Sequence, residues 1–209
     1  MKNVLIATPC LDQKVDAYFV DSLQRSIKMG LKEDIDITCI FLSNESILPI
    51  ARNELLNLAY QEKYDAMVFI DDDECWAPKA LIDIIHDERD VIALPVANKS
   101  DNPSFNVLQS TLTVDEDGYC EVEKIGSGFI KLTKAVIEDL WNSSEELIFR
   151  NKPLKNVFEY TYDEHSFIGE DITLCNKLRE LDYTIWLNTN YTVSHIGNKF
   201  YHAEIKDFL

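Results

Sequence analysis

The first hundred residues alternate between short apolar runs and longer amphipathic segments, and this alternation restricts the chain to few folds. Val4-Leu5-Ile6-Ala7 is a continuous apolar run that ends at Thr8-Pro9-Cys10, as expected for a strand buried on both faces. From about Lys14 to Met29, apolar residues recur at every fourth position, which predicts a helix. Strands alternating with helices form a mostly parallel sheet with helices on both faces. Further strands are predicted at 35–42, 64–70 and 91–95, and further helices around 51–59 and over 78–86.

Beyond Pro95 the rhythm changes, and we expect a mixed second half. A polar loop at 98–103 precedes strand-like segments at 107–114 and 119–124, with Asp117-Gly118 as a hairpin turn between them. Thr133 is expected to cap a helix over about 134–141, and Gly169-Glu170-Asp171 is expected to open the last helix. Residues 183–187 are predicted to form a strand. The segment 150–168 is interpreted as a mobile substrate loop.

The length and charge of the chain limit its class. With 209 residues and 46% hydrophobic content, the chain can bury one substantial core, so we expect a single α/β domain over 1–209. The formal net charge of −17 argues against nucleic acid or an anionic membrane surface as a partner. A nucleotide would therefore have to bind through a metal ion.

The cysteines and the hydropathy pattern favour a cytoplasmic protein. Five cysteines are scattered without a C-x-x-C pair, which predicts reduced thiols and no zinc site. No apolar run approaches the ~20 residues of a transmembrane segment, and the first residues lack the pattern of a signal peptide.

Four consecutive acids, Asp71-Asp72-Asp73-Glu74, follow the apolar run at 67–70. Burying an ionised carboxylate without a partner costs several kcal/mol, so we expect a cation there. In an extended backbone Asp71 and Asp73 point to one side and Asp72 to the other. Hard oxygen ligands suit magnesium or manganese. The alternative is a solvated acidic turn before the helix that begins near Pro78.

Four separated segments together resemble glycosyltransferases of the GT-A fold, especially the compact family-two-like enzymes of bacteria and viruses. They are the strand end Thr8-Pro9, the D-x-D motif Asp71-x-Asp73, the segment Gly126-Ser127-Gly128-Phe129, and Gly169-Glu170-Asp171, with His195-x-Gly197 as a fifth. The resemblance spans nearly the whole chain. It implies a Rossmann-like domain with a nucleotide-binding half at 1–97 and an acceptor and catalytic half at 98–209. In such folds a nucleotide-diphospho-sugar lies over the carboxyl ends of the parallel strands.

The resemblance also implies a metal cofactor, Mn²⁺ or Mg²⁺. Asp73 would bind the metal, and Asp71 would share it or hold the ribose. Because the acids are consecutive, Asp72 is an alternative for either role. His195 matches a histidine that completes the metal shell in many relatives.

The donor implied by the resemblance is a UDP- or GDP-sugar, bound at the ends of the first strands and on nearby loops. For Arg52, with Asn53 beside it, an ion pair that steadies the acids is an equal alternative to a contact with the nucleotide. For Lys99 the alternative is a solvated side chain. The predicted nucleotide-sugar-binding residues are Thr8, Pro9, Asn44, Arg52, Asp71, Asp72, Lys99 and Ser127.

The resemblance assigns catalysis to Glu170 and Asp171. Asp171 would be the general base that removes the proton of an acceptor hydroxyl, which implies single displacement with inversion. The ordinary alternative is that acids at a helix N-terminus stabilise the helix dipole. The acceptor would be a glycan, a lipid-linked molecule or a protein.

Two other functions remain open from the sequence. A sugar nucleotidyltransferase is the nearest, although the glycine-rich, lysine-containing opening loop of that class is absent after Val4–Ala7. The other is a catalytically silent carbohydrate- or metal-binding module of the same fold.

Overall fold

A computed structural model of the chain describes residues 1–108 and 112–209. The described residues contain five α-helices. These are α1 (Ala17–Gly30), α2 (Leu48–Gln61), α3 (Pro78–His86), α4 (Lys134–Ser143) and α5 (Glu170–Glu180), with a short 3-10 helix at Ile205–Phe208 near the C-terminus.

The strands of the described residues form one large sheet and three small ones. The large sheet holds β1 (Lys2–Cys10), β2 (Ile35–Ser43), β3 (Ala66–Ile70), β5 (Val91–Ala93), β6 (Tyr119–Glu121), β7 (Phe129–Thr133) and β12 (Ile185–Asn188). The small sheets pair β4 (Glu74–Cys75) with β13 (Ser194–Ile196) and β14 (Phe200–Tyr201), β8 (Glu146–Phe149) with β9 (Lys152–Lys155), and β10 (Thr161–Tyr162) with β11 (Phe167–Ile168).

The order of the large sheet is β2-β1-β3-β7-β5-β12-β6, and it confirms the predicted α/β fold with a mostly parallel sheet and a mixed second half. β1 pairs in parallel with β2 and β3, and β5 with β12. β7 runs antiparallel between β3 and β5, so those two strands share one direction. β6 is antiparallel at the edge. The carboxyl ends of β1, β2 and β3 therefore meet at one rim.

Alternate residues of the central strands enter two separate cores. On one face, Leu5 and Phe69 pack with residues of α2, α4 and α5. On the other face, Ile6 and Val68 pack with residues of α1 and α3. All four of these side chains have an exposed fraction of 0%. Burial on both faces explains why the strands are continuous apolar runs.

The first-half elements lie where the sequence predicts them, and α3 spans the predicted residues 78–86. Thr133, the predicted capping residue of α4, does not cap that helix. Thr133 donates its hydroxyl hydrogen to Asp90 Oδ1 at 2.7 Å, and α2 begins after Ile47 without a side-chain cap.

The second half departs further from the prediction. Within the predicted strand at 107–114, the described residues form only an isolated bridge from Val107 to Ile125, and 109–111 lie outside the described residues. The chain does turn at Asp117-Gly118, but β6 after this turn pairs with β12. The segment expected to be a loop at 150–168 instead contains β9 and the β10–β11 hairpin.

The sequence predicts reduced cysteines and no transmembrane segment. The five cysteines are free, and Cys10, Cys120 and Cys175 are buried. Among the helices of the described residues, none combines the length and apolarity needed to cross a bilayer.

Candidate functional site: an acidic cleft at the strand ends

The acidic segment begins where β3 leaves the sheet. β3 ends at Ile70, and the Glu74 N–H donates to the Asp71 carbonyl at 3.3 Å, so 71–74 form a turn. The alternation expected of an extended backbone does not hold, because Asp71, Asp72 and Asp73 all line the same cleft. The prediction that Asp72 faces away was wrong, since the strand geometry ends one residue earlier.

This cleft has a volume of about 310 Å³ and lies beyond the carboxyl ends of β1, β2 and β3. One part of its lining is apolar, and the other is rich in carboxylates. It is lined by Pro9, Leu11, Glu45, Ser46, Leu48, Asp71, Asp72, Asp73 and His195.

Asp73 is the centre of the polar part of the cleft. Its Oδ1 lies 3.0 Å from His195 Nε2, and its Oδ2 accepts a hydrogen bond from the Lys99 ammonium. Burial by itself raises the pKa of Asp73, but the hydrogen bonds from His195 and Lys99 outweigh it and hold the pKa below its usual value. Asp73 is therefore ionised and attracts positive charge.

The orientation of His195 suits a metal ligand. Its Nδ1 lies 3.1 Å from the Ala97 carbonyl oxygen, which can only accept, so Nδ1 carries a hydrogen. The other ring nitrogen, Nε2, faces Asp73 at 3.0 Å and is the atom that a cation at this carboxylate would meet. A histidine fixed in this way by a backbone carbonyl is the usual arrangement in metal sites.

Arg52 joins the D-x-D segment to the start of α5. Its Nη2 donates to Asp71 Oδ1 at 3.0 Å, and its Nε lies 3.8 Å from Glu170 Oε1. Its Nη1 donates to the Ser127 carbonyl at 3.0 Å. The Arg52 side chain is only 3% exposed. Of its two predicted roles, the ion pair with the acids is the one that this structure displays.

Glu74 is a buried acid that the sequence analysis did not single out. It is 1% exposed, and its Oε2 has no hydrogen-bond partner among the described residues. Burial, together with the charges of Asp71 and Asp73, raises its pKa well above the usual value. A Cβ at Gly128 would come within 2.4 Å of Glu74 Oε1, which explains the glycine at that position. Glu74 is therefore a buried acid beneath the rim whose protonated form is favoured by its surroundings.

Asp72 lies on the side of the cleft nearest the end of β1. Burial and the charge of Asp73 raise its pKa to about 6. Ligand atoms of Cys10, Asp12 and Asp72 all lie within 4.8 Å of one another. The Cys10 thiol, however, donates to the Lys14 carbonyl at 2.9 Å, and burial raises its pKa, so the sulfur is protonated.

Glu170 and Asp171 open α5, as the sequence predicts. Burial raises the pKa of Glu170, and the charge of Arg52 opposes that shift. Asp171 Oδ1 accepts from the Ile172 N–H at 2.8 Å. Both acids also stabilise the helix N-terminus, so the two sequence interpretations are compatible.

The remaining predicted residues differ in their access to the cleft. Thr8 is buried in β1, whereas Pro9 lines the cleft. Asn44 is exposed beside it, and its Oδ1 accepts from Gln13 Nε2 at 2.7 Å. Ser127 is 3% exposed and meets the site through its carbonyl, which Arg52 contacts.

Asn53 does not line the acidic cleft. It is 1% exposed, and its side chain bonds the backbone of Val157 and Phe158 at 2.8 to 3.0 Å. It therefore fixes the segment that leads to α5.

Glu45 is a second cleft residue for which the sequence predicted no role at the site. Its carboxylate accepts from the Ile47 N–H at 3.0 Å and pairs with Arg150 Nη2 at 3.0 Å. Glu45 follows the predicted strand at 35–42, and this position at a strand end was the feature of the sequence that could have indicated it.

Comparisons with known proteins complete this description. No protein-family model matches the chain, and no curated protein matches it in sequence. Among solved structures, A197 from STIV is similar, with a TM-score of 0.61 and 17% identity over 95% of this chain and 87% of that chain. The fold is of the GT-A type.

Two further solved structures are similar at lower TM-scores. TarS 1–349 from S. aureus, in complex with UDP-GlcNAc, has a TM-score of 0.47 and 15% identity, and the match covers 97% of this chain but 58% of that chain. Mannose-1-phosphate geranyltransferase from Thermus thermophilus has a TM-score of 0.42 and 10% identity, over 69% of this chain and 61% of that chain.

The residues at the GT-A rim fit a divalent cation. Asp73 and His195 present an oxygen and a nitrogen ligand 3.0 Å apart, and Asp71 and Asp72 line the same cleft. The Lys99 ammonium on Asp73 shows that this carboxylate takes a cationic partner. Oxygen ligands with one imidazole suit Mn²⁺, whereas the protonated thiol of Cys10 makes its group a poorer site.

Proposed function

We propose that this chain is a metal-dependent glycosyltransferase that moves a sugar from a nucleotide-diphospho-sugar to an acceptor hydroxyl with inversion. The observation that carries the proposal is the position of Arg52, which contacts both Asp71 and Glu170. Two segments about a hundred residues apart in sequence are thereby joined through one buried guanidinium. Glycosyl transfer needs a site for the diphosphate beside a base. The D-x-D segment would supply the diphosphate site, and the start of α5 would supply the base.

The cleft accounts for donor binding. Pro9, Leu11 and Leu48 offer apolar contacts to a nucleoside. The diphosphate would extend toward Asp73 and His195, which would hold Mn²⁺ or Mg²⁺ with Asp71. A bound divalent cation neutralises the charge that grows on a diphosphate leaving group.

Lys99 and Asp72 adjust the charge of the rim. Without a cation, the Lys99 ammonium neutralises part of Asp73. When a cation replaces it, Lys99 is released toward the phosphates, as a nucleotide-binding residue requires. Asp72 is half-buried, with its pKa near 6, and supplies a second carboxylate on the same side.

Asp171 is the proposed base. As the acceptor oxygen attacks the anomeric carbon, the hydroxyl proton passes to the Asp171 carboxylate, and the bond from that carbon to the diphosphate oxygen breaks on the opposite face. Glu170 acts through its contact with Arg52, which holds the start of α5 against the D-x-D segment. Positioning the reactants in this way supplies much of the catalysis.

We also propose that 1–209 is a single domain whose halves both contribute to the site. Asp73 belongs to the half at 1–97, whereas its partners Lys99 and His195 belong to the half at 98–209.

Calorimetry tests the donor site. UDP- and GDP-sugars titrated into the protein with and without manganese are expected to show binding of at least one donor that strengthens with the metal. A chain that binds none of the common donors under either condition would contradict the proposal.

Product analysis separates the alternatives. The transferase consumes a nucleotide-sugar and releases a nucleoside diphosphate. A nucleotidyltransferase would instead release pyrophosphate from a nucleoside triphosphate and a sugar 1-phosphate, and a silent module would do neither.

A further inference from the structure

Three exposed aromatic rings lie on the β10–β11 hairpin, directly before the proposed base. Tyr160, Tyr162 and Phe167 are 42%, 77% and 57% exposed. The ring of Phe167 lies 5.0 Å from that of Tyr160 and 5.4 Å from that of Tyr162. We call these three rings the aromatic face. Contiguous exposed apolar surface of this kind marks an interaction site.

The hairpin holds the aromatic face in one orientation. Tyr162 pairs directly with Phe167, and Thr161 with Ile168. Since side chains alternate along a strand, Tyr160 shares the side of the hairpin that carries Tyr162 and Phe167. The Asp163 carboxylate closes the turn by accepting from two backbone N–H groups, at 2.7 and 2.8 Å.

The aromatic face runs on to the proposed base. Extending the register by one pair places Tyr160 opposite Gly169. A Cβ at Gly169 would lie 2.9 Å from Asp171 Oδ1, so a larger residue at this position would crowd the proposed base. Burial and then the charge of Glu170 raise the pKa of Tyr160, and Asp171 adds to this effect. The Tyr160 phenol is therefore within electrostatic range of both acids.

The negative charge around the hairpin favours an uncharged ligand over an anionic one. Between residues 156 and 176 the sequence contains no Lys or Arg, and Asp163 and Glu164 lie at the turn. Together with the net charge of −17, these acids repel phosphorylated or carboxylated molecules. An uncharged sugar ring suits the surface better, because its C–H face stacks on an aromatic ring while its hydroxyls reach phenol oxygens.

We propose that the aromatic face binds the acceptor, and that the acceptor is an uncharged sugar residue of a glycan. This proposal rests on the glycosyl transfer proposed above, since Asp171 would take the proton of a hydroxyl held on these rings.

The test uses neutral trisaccharides of glucose, galactose, mannose and N-acetylglucosamine. Oligosaccharides of glucuronic acid and dodecyl phosphate serve as anionic and lipid-phosphate comparisons. Each is titrated into the protein by ligand-observed NMR and calorimetry. At least one neutral trisaccharide is expected to bind, and Tyr162→Ala and Phe167→Ala are each expected to weaken it by roughly tenfold.

Two variants serve as controls. Tyr162→Phe keeps the ring and is expected to retain most of the affinity. Ile148, which is 68% exposed on the β8–β9 hairpin, offers a site of similar exposure away from the aromatic face, and Ile148→Ala is expected to change nothing. Thermal denaturation checks that each variant is folded.

The proposal is overturned if no neutral trisaccharide binds, if an anionic molecule binds more tightly, or if both alanine variants bind as well as the parent. Nucleotide-sugars titrated into the same samples separate the two proposals. Donor binding without any effect of the aromatic face removes only the acceptor proposal, whereas failure of every donor to bind removes the transferase itself.

Discussion

Asp73 receives contacts from two side chains that lie far from it in sequence, Lys99 and His195. The acids themselves were predictable, because a carboxylate block that follows a buried strand must lie at a sheet edge. The identity of their partners depends on how β13 pairs with β4, a pairing of two short strands that leaves no periodic signal. The raised pKa of Glu74 likewise depends on tertiary burial.

His195 has a predicted role that metal titration tests. His195→Ala removes the nitrogen ligand and is expected to weaken manganese binding by roughly tenfold or more. Because the His195 side chain is partly exposed, the variant should remain folded. His202, which bonds Ser194 and Glu204 away from Asp73, gives the matched control His202→Ala. Equal manganese affinities for parent and His195→Ala would exclude His195 as a ligand.

Asp171 allows the chemical step to be separated from donor binding. Asp171→Asn keeps the size and the acceptor oxygen that caps Ile172, but it cannot take a proton. Transfer is expected to fall by about 10²–10⁴-fold while the donor affinity is unchanged. The measurement is nucleoside diphosphate release beside donor calorimetry. Transfer at the parent rate would show that another group is the base.

At the scale of elements, the sequence predicted the first half well because each buried strand is a continuous apolar run and each helix has a clear stripe. The second half was harder, since its strands are short and partly exposed. β10 and β11 have two residues each, which is too few to show a period. The segment before them is held by hydrogen bonds to Asn53 of α2, which lies about a hundred residues earlier in the sequence.

β7 contains a buried lysine, Lys131, whose ammonium donates to the carbonyls of Asp87 and Arg89 at 2.9 and 2.6 Å. Burial lowers its pKa to about 8. Between pH 8 and about 10.5 the unfolded chain therefore holds more protons than the folded one, and the free energy of unfolding gains a term that rises with pH.

Lys131→Met removes this titration. Relative to the variant, the parent is expected to gain about 1–3 kcal/mol of unfolding free energy as the pH rises from about 8 to about 10. Denaturant unfolding of both proteins across that range measures the difference. Parallel pH profiles would show that Lys131 titrates normally in the folded state. The variant is also expected to be less stable throughout, because the partly buried carbonyls of Asp87 and Arg89 lose their donor.

At the scale of the whole molecule, the net charge of −17 means that the acidic side chains repel one another. Self-repulsion destabilises the compact state, and salt screens it. Raising sodium chloride to about 0.5 M is therefore expected to raise the melting temperature by about 2–4 °C, which corresponds to about 1 kcal/mol. Differential scanning calorimetry in the absence of divalent metal measures this effect. A constant or falling melting temperature would mean that local ion pairs outweigh the net repulsion.

The position of β7 also affects the order in which the molecule can form. β5 does not touch β3, because Phe129–Thr133 fills the space between them. During synthesis, the strands of the first ninety-three residues leave the ribosome with a gap in the middle of their sheet. The sheet is completed only when a later segment, Phe129–Thr133, enters between them, so the first ninety-three residues cannot finish folding before that segment has been made.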